Sequence, residues 1–262
     1  MDREQTITKQ FLISPASGKR LIAKSLLFIP SIVEALEKRT VVVIAGTTNG
    51  YVAEEMLSMA NQASGFPRNR FFRGITLPPA YKTTNTGRLE DESLFPRDVV
   101  IVKGKWEKGK TIFDVADGLQ KGDIVVKGAN AVNLESMQAA VYIGHPKAGT
   151  INAAMQAVLG RRAELYIPVG LEKRISGDIN KIARSLNSPN ASGPRLFPFT
   201  GNIITELEAL RIMAGVECEL VAAGGVCGAE GSCWIAVTGT EEKVASAESI
   251  IASVSNEPPF AL

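Results

Sequence analysis

Hydrophobic residues in this chain fall mostly in short, dense runs rich in β-branched side chains, each ending in glycine, asparagine or lysine. Val41–Ile44, Val99–Val102, Ile124–Lys127, Ala140–Ile143 and Leu165–Val169 are too short for helices and lack the alternation of a half-exposed strand. They predict buried strands. Between them lie stretches with helical spacing. Lys19–Lys38 keeps Leu21, Ile22, Leu26, Ile32, Val33 and Leu36 in phase, with a kink expected at Pro30. Tyr51–Ala60, Thr111–Leu119 and Thr150–Leu159 read the same way. Short apolar strands alternating with helices predict an α/β fold whose parallel sheet is covered on both faces.

Two segments interrupt this rhythm. Phe72–Leu77 reads as a strand, and from Pro78-Pro79 to Phe95 the chain is rich in Thr, Asn, Gly and acidic residues, which predicts a flap. Ser185–Pro194 turns to Ser, Asn, Pro and Gly and reads as a linker, dividing the chain at 1–194 and 195–262. Beyond it, a strand at Leu196–Phe199, a helix at Ile203–Ala214, strands at Glu217–Ala222 and Cys233–Val237 around a glycine-rich turn, and a helix at Glu241–Val254 predict a small α+β unit. Glu206 and Glu208 read as an exposed pair capping the first of these helices.

Composition narrows the function classes. The 262 residues carry 29 basic and 27 acidic side chains, so bulk attraction to nucleic acid is not expected. The clusters Arg68, Arg70, Arg73 and Lys103, Lys105, Lys108, Lys110 read as solvated loop surface. The most apolar run, Ser25–Val33, is broken by Pro30 and followed by charge, so no membrane contact is expected. The chain opens Met-Asp-Arg-Glu without a signal pattern, which makes the cytoplasm the expected compartment. Cys218, Cys227 and Cys233 are odd in number and irregularly spaced, and the single histidine, His145, is far from them. Neither a disulfide framework nor a metal site is expected, and no cofactor is implied.

The candidate chemistry sits at the strand ends. Thr40–Ile44 runs into Gly46-Thr-Thr-Asn-Gly50 and then a helix. A buried strand feeding a hydroxyl-rich turn at a helix N-terminus builds an anion site, because the first helical N–H groups are unpaired and the helix dipole favours negative charge there. Three further ends, Lys127-Gly-Ala-Asn130, Gly144-His-Pro-Lys147 and Gly170-Leu-Glu-Lys173, each contribute a lysine. In open parallel sheets ligands lie beyond the carboxyl ends of the strands, so these four tips predict a cationic pocket for a phosphate ester or carboxylate. His145, between Gly144 and Pro146, is a candidate acid, base or ligand contact, since an imidazole changes charge in the physiological range. Ser14-Pro-Ala-Ser-Gly-Lys19 lacks the spacing of a nucleotide loop.

In order, these segments resemble type A ribose-phosphate isomerase and the glucosamine-phosphate deaminase and CoA-transferase-like superfamily. That family has a Gly-Thr-Gly-Ser-Thr loop, a strand ending Asp-Gly-Ala-Asp-Glu, a Lys-Gly-Gly-Gly loop opening a helix, and a strand ending Asp-Glu-Ser-Lys. Here the slots hold Gly46–Gly50, Lys127–Ala131, Lys147–Thr150 and Gly170–Lys173. Arg195–Phe199, Met213–Val216 and the hairpin from Gly225 to Trp234 follow the order of the isomerase's small ferredoxin-like domain. The resemblance covers about residues 19 to 240. It implies a Rossmann-like, sugar-phosphate-isomerase-like domain followed by a ferredoxin-like one.

The family's catalytic carboxylates are replaced. By this alignment the aspartate slots hold Lys127 and Asn130, and the glutamate base slot holds Gln156. An amide cannot accept a proton at neutral pH. Losing a general base costs on the order of 100- to 10,000-fold in rate. The lysine slots survive as Lys147 and Lys173, and the phosphate loop as Thr47, Thr48 and Asn49.

The leading expectation is therefore an isomerase-like protein that binds a phosphorylated or otherwise anionic small molecule without standard ribose-phosphate isomerisation. Two alternatives stand beside it. One is an enzyme of different chemistry, a hydrolase, deaminase or transferase acting on a sugar phosphate, nucleotide or CoA ester, with proton transfer by His145 or Glu172. The other is a sensor or assembly subunit without turnover, its small second unit a homo-oligomer contact.

Overall fold

The computed structural model describes residues 6–73, 76–77 and 93–261. Most of the flap and part of the strand expected at 72–77 lie outside the described residues.

Strand β1 (Thr6–Ile13) leads into α1 (Pro15–Leu26), where Ser14 accepts a hydrogen bond from the Ser17 N–H and Pro15 occupies the first turn. The helix expected through Lys38 is two helices. α1 ends before Leu27 and α2 (Pro30–Lys38) starts afresh, with Pro30 in its first turn, where a missing N–H costs nothing. β2 (Thr40–Val43) and α3 (Thr47–Met59) follow, then β3 (Val99–Val102), the two-residue β4 (Lys105–Trp106) and α4 (Ile112–Val115), held by a Thr111–Asp114 capping box.

Next come β5 (Ile124–Val126), the hairpin of β6 (Ala131–Asn133) and β7 (Gln138–Ile143), and α5 (Thr150–Met155), which runs on into a π-helical turn at Gln156–Gly160. β8 (Glu164–Pro168) precedes a tight 3-10 turn at Leu171–Lys173, and α6 (Ile179–Leu186) is capped by Asp178. The chain continues through β9 (Arg195–Phe199), β10 (Asn202–Ile204), α7 (Glu206–Ala214), β11 (Glu217–Gly224), β12 (Ser232–Thr240) and α8 (Glu241–Ala252). Among the described residues no helix is long and apolar enough to cross a membrane.

The fold is mixed α/β. A six-stranded sheet has the order β10-β8-β5-β2-β3-β4, in which the first four strands run parallel and β3 and β4 pair antiparallel. Two antiparallel three-stranded sheets, β6-β7-β9 and β1-β12-β11, flank it. The sheet is therefore not wholly parallel, and Ala140–Ile143 is not part of it. Asn133 accepts from the N–H groups of Glu135 and Ser136, turning the chain into the β6–β7 hairpin, and β7 then pairs with β9. The start of the helix expected at Ile203 is strand β10, paired with β8, and the capped helix begins at Glu206. Residues beyond 194 thus contribute to all three sheets, and β1, from the other end of the chain, is the third strand beside β11 and β12.

Period-two alternation in the central strands builds two cores. Val41, Val43, Val99, Ile101, Ile124, Val126 and Tyr166 face α1, α2, α3, α7 and α8. Val42, Ile44, Val100, Val125, Leu165 and Ile167 face α4, α5 and the β6-β7-β9 sheet. Both faces are dry, which is why these strands read as unbroken apolar runs. Each fully buried Val or Ile contributes about 1.5–3 kcal/mol relative to exposure.

Candidate functional site

A cavity of about 730 Å3 opens at the carboxyl ends of β2 and β5, between the central sheet and the β6–β7 hairpin. Its floor is the first turn of α3. The predicted glycine-flanked turn is itself helical, so the helix begins four residues earlier than the hydrophobic spacing suggests, with Gly46 as its cap. Thr47, Thr48 and Asn49 line the cavity, while Gly50 does not. A Cβ at Gly50 would lie 3.2 Å from the Arg68 carbonyl, so this glycine serves helix-to-loop packing. Asn49 is 1% exposed, and its Nδ2 donates to the carbonyls of Ile44 (2.7 Å) and Val126 (3.1 Å), tying the ends of β2 and β5 to the helix. Its Oδ1 and the Thr48 Oγ1 are buried without a hydrogen-bond partner among the described residues. Leaving such groups unmade costs about 1–3 kcal/mol each.

The structure brings all four predicted tips to this cavity, though not every residue of each. Lys127, Asn130, His145 and Lys173 line it. The His145 tip arrives from the antiparallel hairpin instead of from the central sheet. Arg195 Nη2 holds that tip by donating to the carbonyls of Ile143 (3.4 Å), Gly144 (2.7 Å) and His145 (3.3 Å). The His145 Nδ1 accepts from the Lys147 backbone N–H at 3.1 Å, which assigns the proton of a neutral ring to Nε2. Ala148, in the same wall, sits at φ +59, a left-handed conformation uncommon for alanine. Asn130 is partly used by the fold, its Oδ1 accepting from the Tyr142 N–H at 3.0 Å.

Three predicted residues besides Gly50 lie elsewhere. The Lys147 side chain is exposed and outside the lining. Gln156 is exposed on the π-helical turn, where it donates to Asp117. Glu172 points away from the cavity into a buried charge cluster: its Oε1 accepts from Lys19 Nζ at 3.1 Å, and its Oε2 has no partner among the described residues. Burial works to raise the Glu172 pKa, but Lys19 and Lys173 outweigh it and hold it below the usual carboxylate range.

Glu206 joins that cluster. It is 3% exposed, not the surface cap expected, and its carboxylate accepts from the Leu171 N–H at 2.9 Å. Burial first, and then the neighbouring Glu172, push its pKa up to about 7. Glu208 alone forms the cap of α7, closing a box with Thr205.

Sequence reasoning missed two residues. Asp98 is fully buried; its Oδ1 accepts from Arg73 Nη2 and the Ala45 N–H, and its Oδ2 from the Ile112 N–H, each at 2.9 Å. It places Arg73, which looked like loop surface, in the cavity wall, with the guanidinium also over the Phe95 ring. A lone aspartate before a strand and an arginine in an arginine-rich loop carry no sequence signal for this pairing. The lining also has an apolar part: Phe72 meets Phe260 edge to face at 5.7 Å, and Leu77 lines the cavity with them.

The electrostatics follow from this crowding. Burial first, then Arg73 and Lys173, lower the Lys127 pKa to about 8 against the opposing pull of Asp98. Burial also lowers Lys173, with Lys19 adding to it and Glu172 and Glu206 opposing. All three cysteines are free, and burial raises Cys218 and Cys233 to about 11, which makes them inert thiols. No group of three or more His, Cys, Asp or Glu suited to a metal ion occurs among the described residues. Compared with known proteins, the chain matches no protein family, no curated protein and no solved structure.

Proposed function

We propose that this is an isomerase-like α/β protein that binds a phosphorylated or otherwise anionic small molecule in the cavity above α3. One observation carries the reading: Arg73, Lys127 and Lys173 line a cavity at the N-terminus of a 13-residue helix whose first turn holds two buried oxygen atoms, Thr48 Oγ1 and Asn49 Oδ1, unpaired among the described residues. The cations and helix amides suit an anion. The Asn49 Oδ1 calls for a donor beside it, such as a sugar hydroxyl. The neighbouring carboxylate, Asp98, is paired with Arg73 and offsets its charge, which leaves Lys127 and Lys173 as the lining cations it does not pair with.

The likeness to the ribose-phosphate isomerase superfamily belongs to this proposal and rests on the order of the strand ends. The slot of the isomerase base supports altered chemistry, since Gln156 is engaged with Asp117 outside the cavity. With Glu172 also turned away, His145 is the residue we assign to any proton transfer, which requires its Nδ1 to release the Lys147 N–H.

Calorimetric titration with inorganic phosphate and ribose 5-phosphate tests the reading. Lys173→Ala is expected to weaken binding about tenfold or more, as loss of a charged hydrogen bond does. Lys147→Ala and Gln156→Ala, outside the cavity, leave it unchanged. Equal affinity in the Lys173 variant and the parent overturns the assignment.

A further inference from the structure

We propose that Lys127 is a nucleophile that forms an imine with a carbonyl compound carrying an anionic group, the class of a phosphorylated aldehyde or ketone. The inference rests on the anion-binding reading of the cavity and names what else the ligand must bear.

The position of the amine supports it. Lys127 lies at the end of β5, and among the described residues its Nζ donates only to the adjacent Gly128 carbonyl, at a long 3.4 Å. It forms no ion pair with any described residue. The charged groups facing it are Arg73, Lys173 and Asp98, and the carboxylate is turned to Arg73 and two backbone N–H groups. An ammonium here is a third cation in a half-buried wall with one poor acceptor. A neutral amine is relieved of that repulsion, which is how desolvation and cationic neighbours activate lysines. If the charge of the wall served only to grip an anion, an ordinary ion-paired or solvent-facing lysine would suffice. The lowered basicity of Lys127 leaves an appreciable share of free amine at neutral pH.

The chemistry balances without any further reagent. The amine lone pair attacks the carbonyl carbon as the C=O π pair moves to oxygen. Nitrogen gives up one proton and oxygen gains one, leaving a carbinolamine. The C–O bond then breaks, oxygen departs as water with a second proton, and C=N forms. Amine plus carbonyl gives imine plus water, with no change of oxidation state. That second proton is the one the carbinolamine nitrogen still carries, passed on through water, and His145, whose Nδ1 accepts from the Lys147 N–H, is placed in the same cavity to steady the departing oxygen with its Nε2–H.

Pyridoxal 5′-phosphate is a suitable probe, because it carries both an aldehyde and a phosphate and its imine absorbs visible light. The full chain is exposed to less than one equivalent, reduced with borohydride, and mapped by peptide mass spectrometry. The expected result is an adduct on Lys127 at least tenfold above any other lysine. Its yield should rise between pH 6.5 and 8.5 and fall when inorganic phosphate competes. Lys127→Gln removes this adduct, whereas Lys147→Gln leaves it intact.

Label spread over surface lysines, with phosphate still binding by calorimetry, overturns the imine and spares the anion site. Lys127 labelling by pyridoxal as fast as by its phosphate, with no competition, spares the nucleophile and overturns the anion grip. Spread label together with no phosphate binding overturns both. Circular dichroism of the Lys127 variant separates loss of the amine from loss of the fold.

Discussion

The carboxylate of Asp98 and the guanidinium of Arg73 meet at 2.9 Å in a place where neither has much access to water. The same carboxylate holds the N–H of Ala45 at the entry to α3 and that of Ile112 at the start of α4. One side chain therefore fixes a cavity cation, the entry to the anion-facing helix and the start of α4. Asp98→Ala is expected to cost about 3–5 kcal/mol, as removal of one partner of a buried pair does. Asp98→Asn keeps the shape and costs less. Urea denaturation gives the order, and a midpoint for Asp98→Ala equal to that of the parent would show the pairing to be energetically idle.

Glu206 gives folding stability a pH dependence of unusual sign for a carboxylate. Its folded pKa, about 7, lies above the ordinary glutamate value near 4.5, so the folded protein binds the proton more tightly. Its contribution is complete below pH 4.5 and lost as pH rises toward 7, at about 1.4 kcal/mol per pH unit within that window. Glu206→Gln, which keeps an acceptor for the Leu171 N–H, should gain on the parent as pH rises from 5 to 8. Glu172, held low by its lysines, behaves oppositely and weakens the fold only as pH falls below its unfolded value. Parallel urea midpoints at pH 5 and 8 decide the matter, and a constant difference between the two proteins would refute it.

Gly18 is expected to reverse a familiar rule. Glycine to alanine inside a helix normally gains about 1 kcal/mol. Here a Cβ would sit 2.2 Å from the Glu206 Oε1, forcing α1 and α7 apart or moving a buried acid. Gly18→Ala should therefore destabilise by about 1–3 kcal/mol. The double variant Gly18→Ala with Glu206→Ala, which removes the obstructing group, should show a smaller cost for the alanine at 18.

Tyr51 is buried with its hydroxyl unpaired among the described residues, and the guanidiniums of Arg20 and Arg68 lie over its ring at 4.8 and 4.2 Å. Phenylalanine keeps the ring and removes the unmet hydroxyl. Tyr51→Phe should be neutral or stabilising by up to about 1 kcal/mol, read from the thermal midpoint. A clear loss of stability would mean that the hydroxyl has a water partner.

Arg195 acts on the site without lining it. Its three bonds to the carbonyls of Ile143, Gly144 and His145 hold the end of β7 and the loop after it against the cavity. Arg195→Met should weaken phosphate binding by about 5- to 30-fold while moving the urea midpoint little, since loss of hydrogen bonds from a charged donor amounts to about 1–2 kcal/mol. A large fall in stability with unchanged affinity would assign Arg195 to the fold alone.

The dense valine runs made β2, β3 and β5 readable because strands buried on both faces must be apolar throughout. The strand ends drew attention to Thr48, Lys127, His145 and Lys173, all in the cavity wall. What escaped was decided by long-range partners. β1 reads Thr-Ile-Thr-Lys-Gln-Phe-Leu-Ile, too polar to stand out, because most of it is exposed and only Ile13 is fully buried. The three-residue strands β6 and β10 are defined by β7 and β8 more than by their own side chains. Glu206 looked like an ordinary helix cap because nothing local tells that α1 and the Leu171 turn cover it. Gln156 was assigned by alignment alone, and the π-helical turn carries it out to Asp117.

The register that aligns Thr6 with Thr240 and Ile13 with Cys233 has a consequence for synthesis. During translation β1 leaves the ribosome well before β12 and waits without that neighbour until Ser232–Thr240 has been made. Closure of that sheet is a late, high-contact-order event, and the unpaired edge is what a chaperone or a second nascent chain would meet first.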